Sequence, residues 1–315
     1  MNVGIIGVGY WGLKILRSLS KIEKINIKYL CDVNLENIEK FKDEYLITSN
    51  YENILRDDEI EIVFIVTPIN THYKIICDCI KNKKNVFVEK PICKSITELE
   101  EIILTSKLNN VKFFCDYIFN YSDKIYTLKS LIGNIENIIY IEMNRNTERV
   151  FNSDNIIYDL LPHDLTILYK LFDKLDDKIK INFVDKICYN SDGLIIKTTI
   201  AFEIKNTKGT INMDFISNQK NRLIKIICKD KLMIYDDTTD IIEVYNYILD
   251  INESRVLNKF TNQEKIVAIN YNEPLTTAIK SFLKIINENN NISYEEHIEL
   301  NKKIVEKIQE INNNW

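Results

Sequence analysis

Through the first third of the chain, short and nearly unbroken apolar runs take turns with segments of helical period. The runs at residues 3–6, 60–66, 85–88 and 111–115 carry little of the polar alternation of a half-exposed strand, so they read as strands buried on both faces, and 25–31 reads as an apolar-alternating strand. Helical patterns fall between them at 13–19, 35–45, 71–82 and 95–108, with a short strand near Ile47 and a short helix over 53–57. Strand and helix alternating at this spacing predict a parallel, doubly wound α/β sheet covered on both faces.

From about residue 119 the rhythm changes. A helix over 122–132, a strand over 135–145 and a helix over 158–172 lead into alternating strands at 178–189, 193–205, 208–217, 221–229, 231–236 and 241–246. That run predicts one mostly antiparallel open sheet in an α+β domain. Helices over 275–287 and 294–311 close the chain, and no internal repeat or flexible linker interrupts it. The expected division is 1–118 as the doubly wound domain and 119–315 as the α+β domain.

Composition narrows the partners. A length of 315 residues is enough for two domains with their own cores. A net charge of −5 without a basic stripe argues against nucleic acid. The longest apolar runs fall far short of the roughly 20 residues that span a bilayer, and the N-terminus enters a strand with no basic region before it; no membrane role and a cytoplasmic location are expected. The seven cysteines are scattered with no C-x-x-C pair, and Cys77 and Cys79 lie in a helical pattern where they point apart, so buried free thiols and no metal are expected.

Glycine is scarce, yet four of the seven lie in the first dozen residues, where Gly7-Val-Gly9-Tyr-Trp-Gly12 sits between strand and helix. In a dinucleotide site Gly7 permits the tight turn, Gly9 lets pyrophosphate approach the backbone and Gly12 lets helix pack on strand. The acid expected about 20 residues on is Asp32, at the end of the second strand. A carboxylate there accepts from the ribose hydroxyls of NAD and repels the 2′-phosphate of NADP, and Val33-Asn34 offers no arginine for that phosphate; NAD is expected over NADP.

Three of the four prolines stand in polar clusters: Thr67-Pro68-Ile-Asn70-Thr-His72, Glu89-Lys90-Pro91 and Asp159-Leu-Leu-Pro162-His163-Asp164. The first two follow predicted parallel strands, where open α/β sheets bind ligands. His72 is expected to start a helix and contact backbone, and His297, among glutamates, to be a surface residue. Asp159 and His163 are four apart and share a face on a helix, an arrangement that can bind a carbinol and take its proton. A cap formed by Asp159 over a buried His163 is the alternative. Lys90 is either a surface charge or a donor to the reacting oxygen.

These motifs in order, together with a late Glu273-Pro-Leu275 helix start, resemble the Gfo/Idh/MocA oxidoreductases over nearly the whole chain. The resemblance implies a Rossmann domain followed by an open-sheet domain that makes dimer or tetramer contacts. It implies that Lys90 lies by the nicotinamide, with Asp159 as substrate carboxylate and His163 as general acid/base. Cofactor contacts are then expected from Gly7, Gly9, Tyr10, Trp11 and Gly12, from Asp32, and from Thr67, Pro68, Asn70, His72, Glu89 and Lys90. Substrate contacts are expected from Lys90, Tyr117, Arg145, Asp159 and His163. The wording at 155–168, 221–225 and 231–237 is similar to members from polysaccharide and sugar-nucleotide pathways, which implies a nucleotide-linked sugar as substrate, with a free sugar or cyclitol, or an NAD-binding sensor, as alternatives. Arg145, Arg149 and Arg222 are candidates for its phosphates. Ser122-Asp123 departs from the Asn-Pro of many members.

Overall fold

The structure, a computed structural model, describes residues 1–147, 155–172, 178–189, 193–252, 255–288 and 291–314. Its contacts divide the chain into one unit of Met1–Tyr121 with Glu273–Gln309 and another of Ser122–Asn272 with Glu310–Trp315. In this division the end of the chain returns to the first unit.

The first unit runs β1 (Asn2–Ile6), α1 (Tyr10–Leu19), β2 (Asn26–Cys31), β3 (Leu46–Thr48), α2 (Glu52–Leu55), β4 (Ile60–Ile65), α3 (Ile69–Lys81), β5 (Asn85–Val88), α4 (Ile96–Asn109) and β6 (Phe113–Cys115). The sheet order is β3-β2-β1-β4-β5-β6 and every pair is parallel. Ile62, Val63, Phe64 and Ile65 are all fully buried, which is why the run lacks polar alternation. The helix expected over 35–45 is instead two 3₁₀ turns, Leu35–Asn37 and Glu39–Phe41. Its apolar residues Leu35, Ile38 and Phe41 recur every third position, the period of a 3₁₀ turn, and only Ile38 reaches the core.

The second unit contains α5 (Asp123–Ile132), β7 (Ile138–Asn146), α6 (Ile156–Asp159), α7 (Leu161–Phe172), β8 (Lys180–Cys188), β9 (Ile195–Ile204), β10 (Thr207–Asp214), β11 (Asn221–Cys228), β12 (Lys231–Asp236), β13 (Ile241–Asn252) and β14 (Arg255–Val267). They form a sheet in the order β14-β13-β12-β11-β7-β10-β9-β8, antiparallel except for the parallel pair β7–β10. The strand β14 was not expected from the sequence; it lies at the sheet edge, where polar residues such as Asn262, Gln263 and Glu264 dilute the apolar alternation. The single helix expected over 158–172 is broken at Leu160, because Pro162 has no N–H to donate and its ring would meet the carbonyl four residues back.

The closing helices α8 (Pro274–Asn287) and α9 (Asn291–Asn314) begin in the first unit. Phe282 of α8 packs on Phe114 and Phe87, with ring centroids 5.4 and 5.9 Å away. His297 of α9 is the reverse of the expected surface residue. It is 5% exposed, its ring stacks on Phe114 at 3.9 Å, and its Nε2 accepts the Cys115 N–H at 2.9 Å. Burial pushes the imidazole down to about 3. Six of the seven cysteines are buried thiols as expected; Cys188 is exposed.

Candidate functional site at the carboxyl edge of the parallel sheet

Five strands of the first unit end at one edge, and each is continued one residue further by a ladder bond to its neighbour. Gly7 N–H donates to Cys31 O (2.8 Å), Asp32 N–H to Thr48 O (3.2 Å), Val66 N–H to Ile6 O (2.8 Å), Glu89 N–H to Ile65 O (2.9 Å) and Asp116 N–H to Val88 O (2.9 Å). Strand order reverses between β1 and β4, so the glycine turn and the Thr67-Pro68 turn flank the switch point where open sheets form a crevice.

The glycines divide by function. Gly7 has φ +89°, and a Cβ on it would stand 2.5 Å from Val66 O. On Gly12 a Cβ would stand 2.1 Å from Gly7 O. Both are demanded by the fold itself. A Cβ on Gly9 would meet nothing within 4 Å, so the bare backbone there opens onto free space at the start of α1. That helix has no side-chain cap and no acid in its first turn, leaving its amide end open to an anion. Tyr10 and Trp11 stand at the same end, with Lys14 Nζ 4.6 and 4.0 Å from their ring centroids. Asp32 is half-buried, accepting the N–H of Val8 (2.8 Å) and of Asn34 (2.9 Å) on separate oxygens, each of which keeps a lone pair for another donor. The residues therefore fit a dinucleotide: amides for pyrophosphate and an oriented carboxylate for ribose.

At the β4 turn Pro68 and Asn70 are exposed and Thr67 is half-buried. His72, by contrast, is 1% exposed, Nε2 lying 2.7 Å from Thr67 O and Nδ1 2.9 Å from Pro91 O. It ties the two turns together from within rather than contacting a ligand, and burial lowers its pKa. Glu89 is likewise buried, its Oε2 accepting the Lys90 N–H at 3.1 Å, whereas Lys90 is half-exposed beside a cis Lys90–Pro91 bond. Tyr117, expected among the substrate contacts, is 2% exposed with its hydroxyl on Asn301 (3.2 Å), which makes it a core residue of this unit.

In the second unit Asp159 ends α6 and His163 lies in the first turn of α7, both half-exposed. Between them runs the break at Leu160, so they are not on one continuous helix as expected. Arg145, expected as a substrate contact, is buried: its Nε and Nη2 both donate to Asp164 Oδ1, at 3.0 and 2.8 Å. Burial alone would lower its pKa, but Asp164, Asp237 and Asp159 outweigh that and raise it. Arg222 pairs directly with Arg145 across β7–β11 and reaches Asp237 at 3.5 Å, its side chain 39% exposed. Arg149 lies outside the described residues. Among the described residues no group of histidine, cysteine and acid side chains could hold a metal, and no helix is long and apolar enough to cross a membrane.

A parallel sheet in this order with a capless glycine turn and an acid after β2 defines an NAD-binding Rossmann domain. Residues 1–117 match the family model described as "Oxidoreductase family, NAD-binding Rossmann fold", GFO_IDH_MocA. An uncharacterized oxidoreductase of Streptococcus pneumoniae is 31% identical over 148 residues, covering 46% of this chain and 40% of that protein. The matched segment thus spans less than half of that relative. Two solved structures share the fold along the whole chain. A 3-ketoreductase from Actinomadura kijaniata in complex with NADP and TDP-benzene superposes with a TM-score of 0.82 at 11% identity, covering 99% of this chain and 97% of that one. A UDP-N-acetylglucosamine 3-dehydrogenase from Acidithiobacillus ferrooxidans does so with a TM-score of 0.77 at 17% identity, covering 99% and 96%.

Proposed function

We propose that the protein is an NAD-dependent oxidoreductase acting on a ring carbinol or ketone of a nucleotide-linked sugar. The observation that carries the redox reading is the open backbone at Gly9 at the same sheet edge as Lys90. NAD would be held by the amides at the start of α1 and by Asp32, and would supply the hydride acceptor or donor. Lys90 donates a hydrogen bond to the reacting oxygen, His163 exchanges its proton as general acid/base, and Asp159 orients the hydroxyls of the substrate. Arg145, held on Asp164, fixes the start of α7 and hence the seat of His163. Arg222, more exposed than the buried Arg145, is the candidate for a substrate phosphate. Exposed Phe183, Ile248 and Phe260 on the second unit's sheet support a homo-oligomer.

One observation favours the alternative of a free sugar or cyclitol: with Arg145 buried on Asp164, the strand-end cations offered to a pyrophosphate are fewer. Reduced-nicotinamide absorbance with matched nucleotide-sugars and free sugars tests the choice. The proposal expects a higher kcat/KM for the nucleotide-sugars, eroded by Arg222→Ala, because remote binding energy orients the reacting carbon; equal turnover of a free hexose or inositol would replace it. His163→Ala and Lys90→Ala should each lower turnover about 10²–10⁴-fold while NAD still binds.

A further inference from the structure

Asp116 follows β6 at the same edge as the glycine turn and Lys90, and no sequence motif marks it. It is 1% exposed, and neither of its carboxyl oxygens has a hydrogen-bond partner. The register Val88↔Cys115, continued one residue past both strand ends, sets it beside Glu89, and its own N–H donates to Val88 O at 2.9 Å. Glu89 is itself buried and accepts the Lys90 N–H. Two buried carboxyls therefore stand side by side with one lysine as the cation next to them. Ionising both would bury two like charges at neighbouring strand positions, and an unpartnered buried carboxylate is costlier still.

We propose that at neutral pH the Asp116–Glu89 pair carries one proton, held on Asp116 as a neutral carboxylic acid, and that Asp116 is thereby a positioning residue for Lys90. The pair then presents one negative charge to one ammonium instead of two. This rests on the reading of Lys90 as the group that meets the reacting oxygen. The titratable and charged groups around Asp116 are Glu89 and Lys90 at the end of β5, Cys93 beyond them, its chain neighbours Cys115 and Tyr117, and His297 of α9, which bonds Cys115. Burial first, then Glu89, pushes the Asp116 carboxyl well above the usual carboxylate range, with Lys90 opposing.

Infrared spectroscopy of the full chain in heavy water tests the protonation without any substrate. At neutral pH the wild type should show the C=O stretch of a protonated carboxyl, lost on raising the pH and absent from Asp116→Asn. Acetic anhydride labelling of Lys90, read by mass spectrometry, tests the coupling. Its pH profile should bend where the carboxyl band disappears in the wild type, and Asp116→Asn should lose that bend. A merely structural Asp116 would move neither signal. If Asp116→Asn does not fold, the wild-type band and bend decide alone. A wild type with no protonated carboxyl at neutral pH, a Lys90 profile that shows no bend at the loss of the band, or one whose bend persists in Asp116→Asn, overturns the proposal. Intact signals in a protein that turns over no sugar would overturn the functional reading instead.

Discussion

Three glycines within six residues look alike in sequence and carry different burdens. Gly12→Ala forces a Cβ to 2.1 Å from Gly7 O, and Gly7→Ala adds a left-handed φ to a clash with Val66 O. Each should lower stability by at least about 1–3 kcal/mol, the range of forced overpacking, measured by denaturant unfolding. Gly9→Ala meets open space and should unfold within about 0.5 kcal/mol of the wild type, yet weaken NAD binding at least tenfold in a fluorescence titration, because its methyl takes the space left for phosphate. Loss of NAD binding only in step with loss of stability would refute this division. Asp32 is oriented by Val8 and Asn34, so Asp32→Ala should lower NAD affinity about 10–100-fold, the worth of a charged hydrogen bond, and bring NAD and NADP closer together. Titrating both cofactors checks it, and a wild type that favours NADP would refute the assignment of Asp32.

At the scale of elements, the strands set where the chemistry stands and α9 holds β6 in place. Tyr294 reaches Phe113 N–H and Ser106, His297 accepts from Cys115 N–H, and Asn301 accepts from Tyr117. His297→Leu leaves a buried N–H without an acceptor and should destabilise the protein by about 1–3 kcal/mol. The pH dependence has a definite sign. Both His297 and His72 have folded pKa values below that of an unfolded histidine, about 6.5. The unfolded chain therefore binds more protons below that pH, and stability falls as pH falls from about 6.5 toward the folded value. For His297 the loss should extend from about 6.5 down to about 3. Melting temperatures across pH 7 to 4 should fall less steeply in His297→Leu than in the wild type; parallel curves would mean that His297 does not titrate on unfolding.

For the whole molecule, the first unit is discontinuous in sequence. Residues 1–121 alone would leave Phe87, Phe113 and Phe114 without the cover of Phe282, Tyr294 and His297. A chain ending at Tyr121 should be insoluble or lack cooperative unfolding. Joining 1–121 to 273–309 through a Gly/Ser linker should restore a cooperative unit that NAD stabilises by about 2.7 kcal/mol at one hundred times its Kd. Calorimetry of both chains decides between this division and a simple cut near residue 118, under which the shorter chain would fold unaided.

What the amino-acid order decided by itself is what local geometry enforces. The glycine turn was legible because positive φ and close backbone approach leave few other residues, and the parallel strands because burial on both faces removes polar positions over several residues in a row. Some signals were local but faint. Arg145 alternates with Ile141 and Met143, which are buried, so its inward direction was present in the period of β7. His297 shares a helical face with Ile304 and Asn301, and only its acidic neighbours made it look exposed. Tertiary structure alone decided the rest. The return of α8 and α9 to the first unit, the pairing of Arg145 with Asp164 and the meeting of Asp116 with Glu89 join residues from 19 to more than 150 positions apart. Such contacts leave no periodic trace, because they depend on strand order and register, which only the folded sheet supplies.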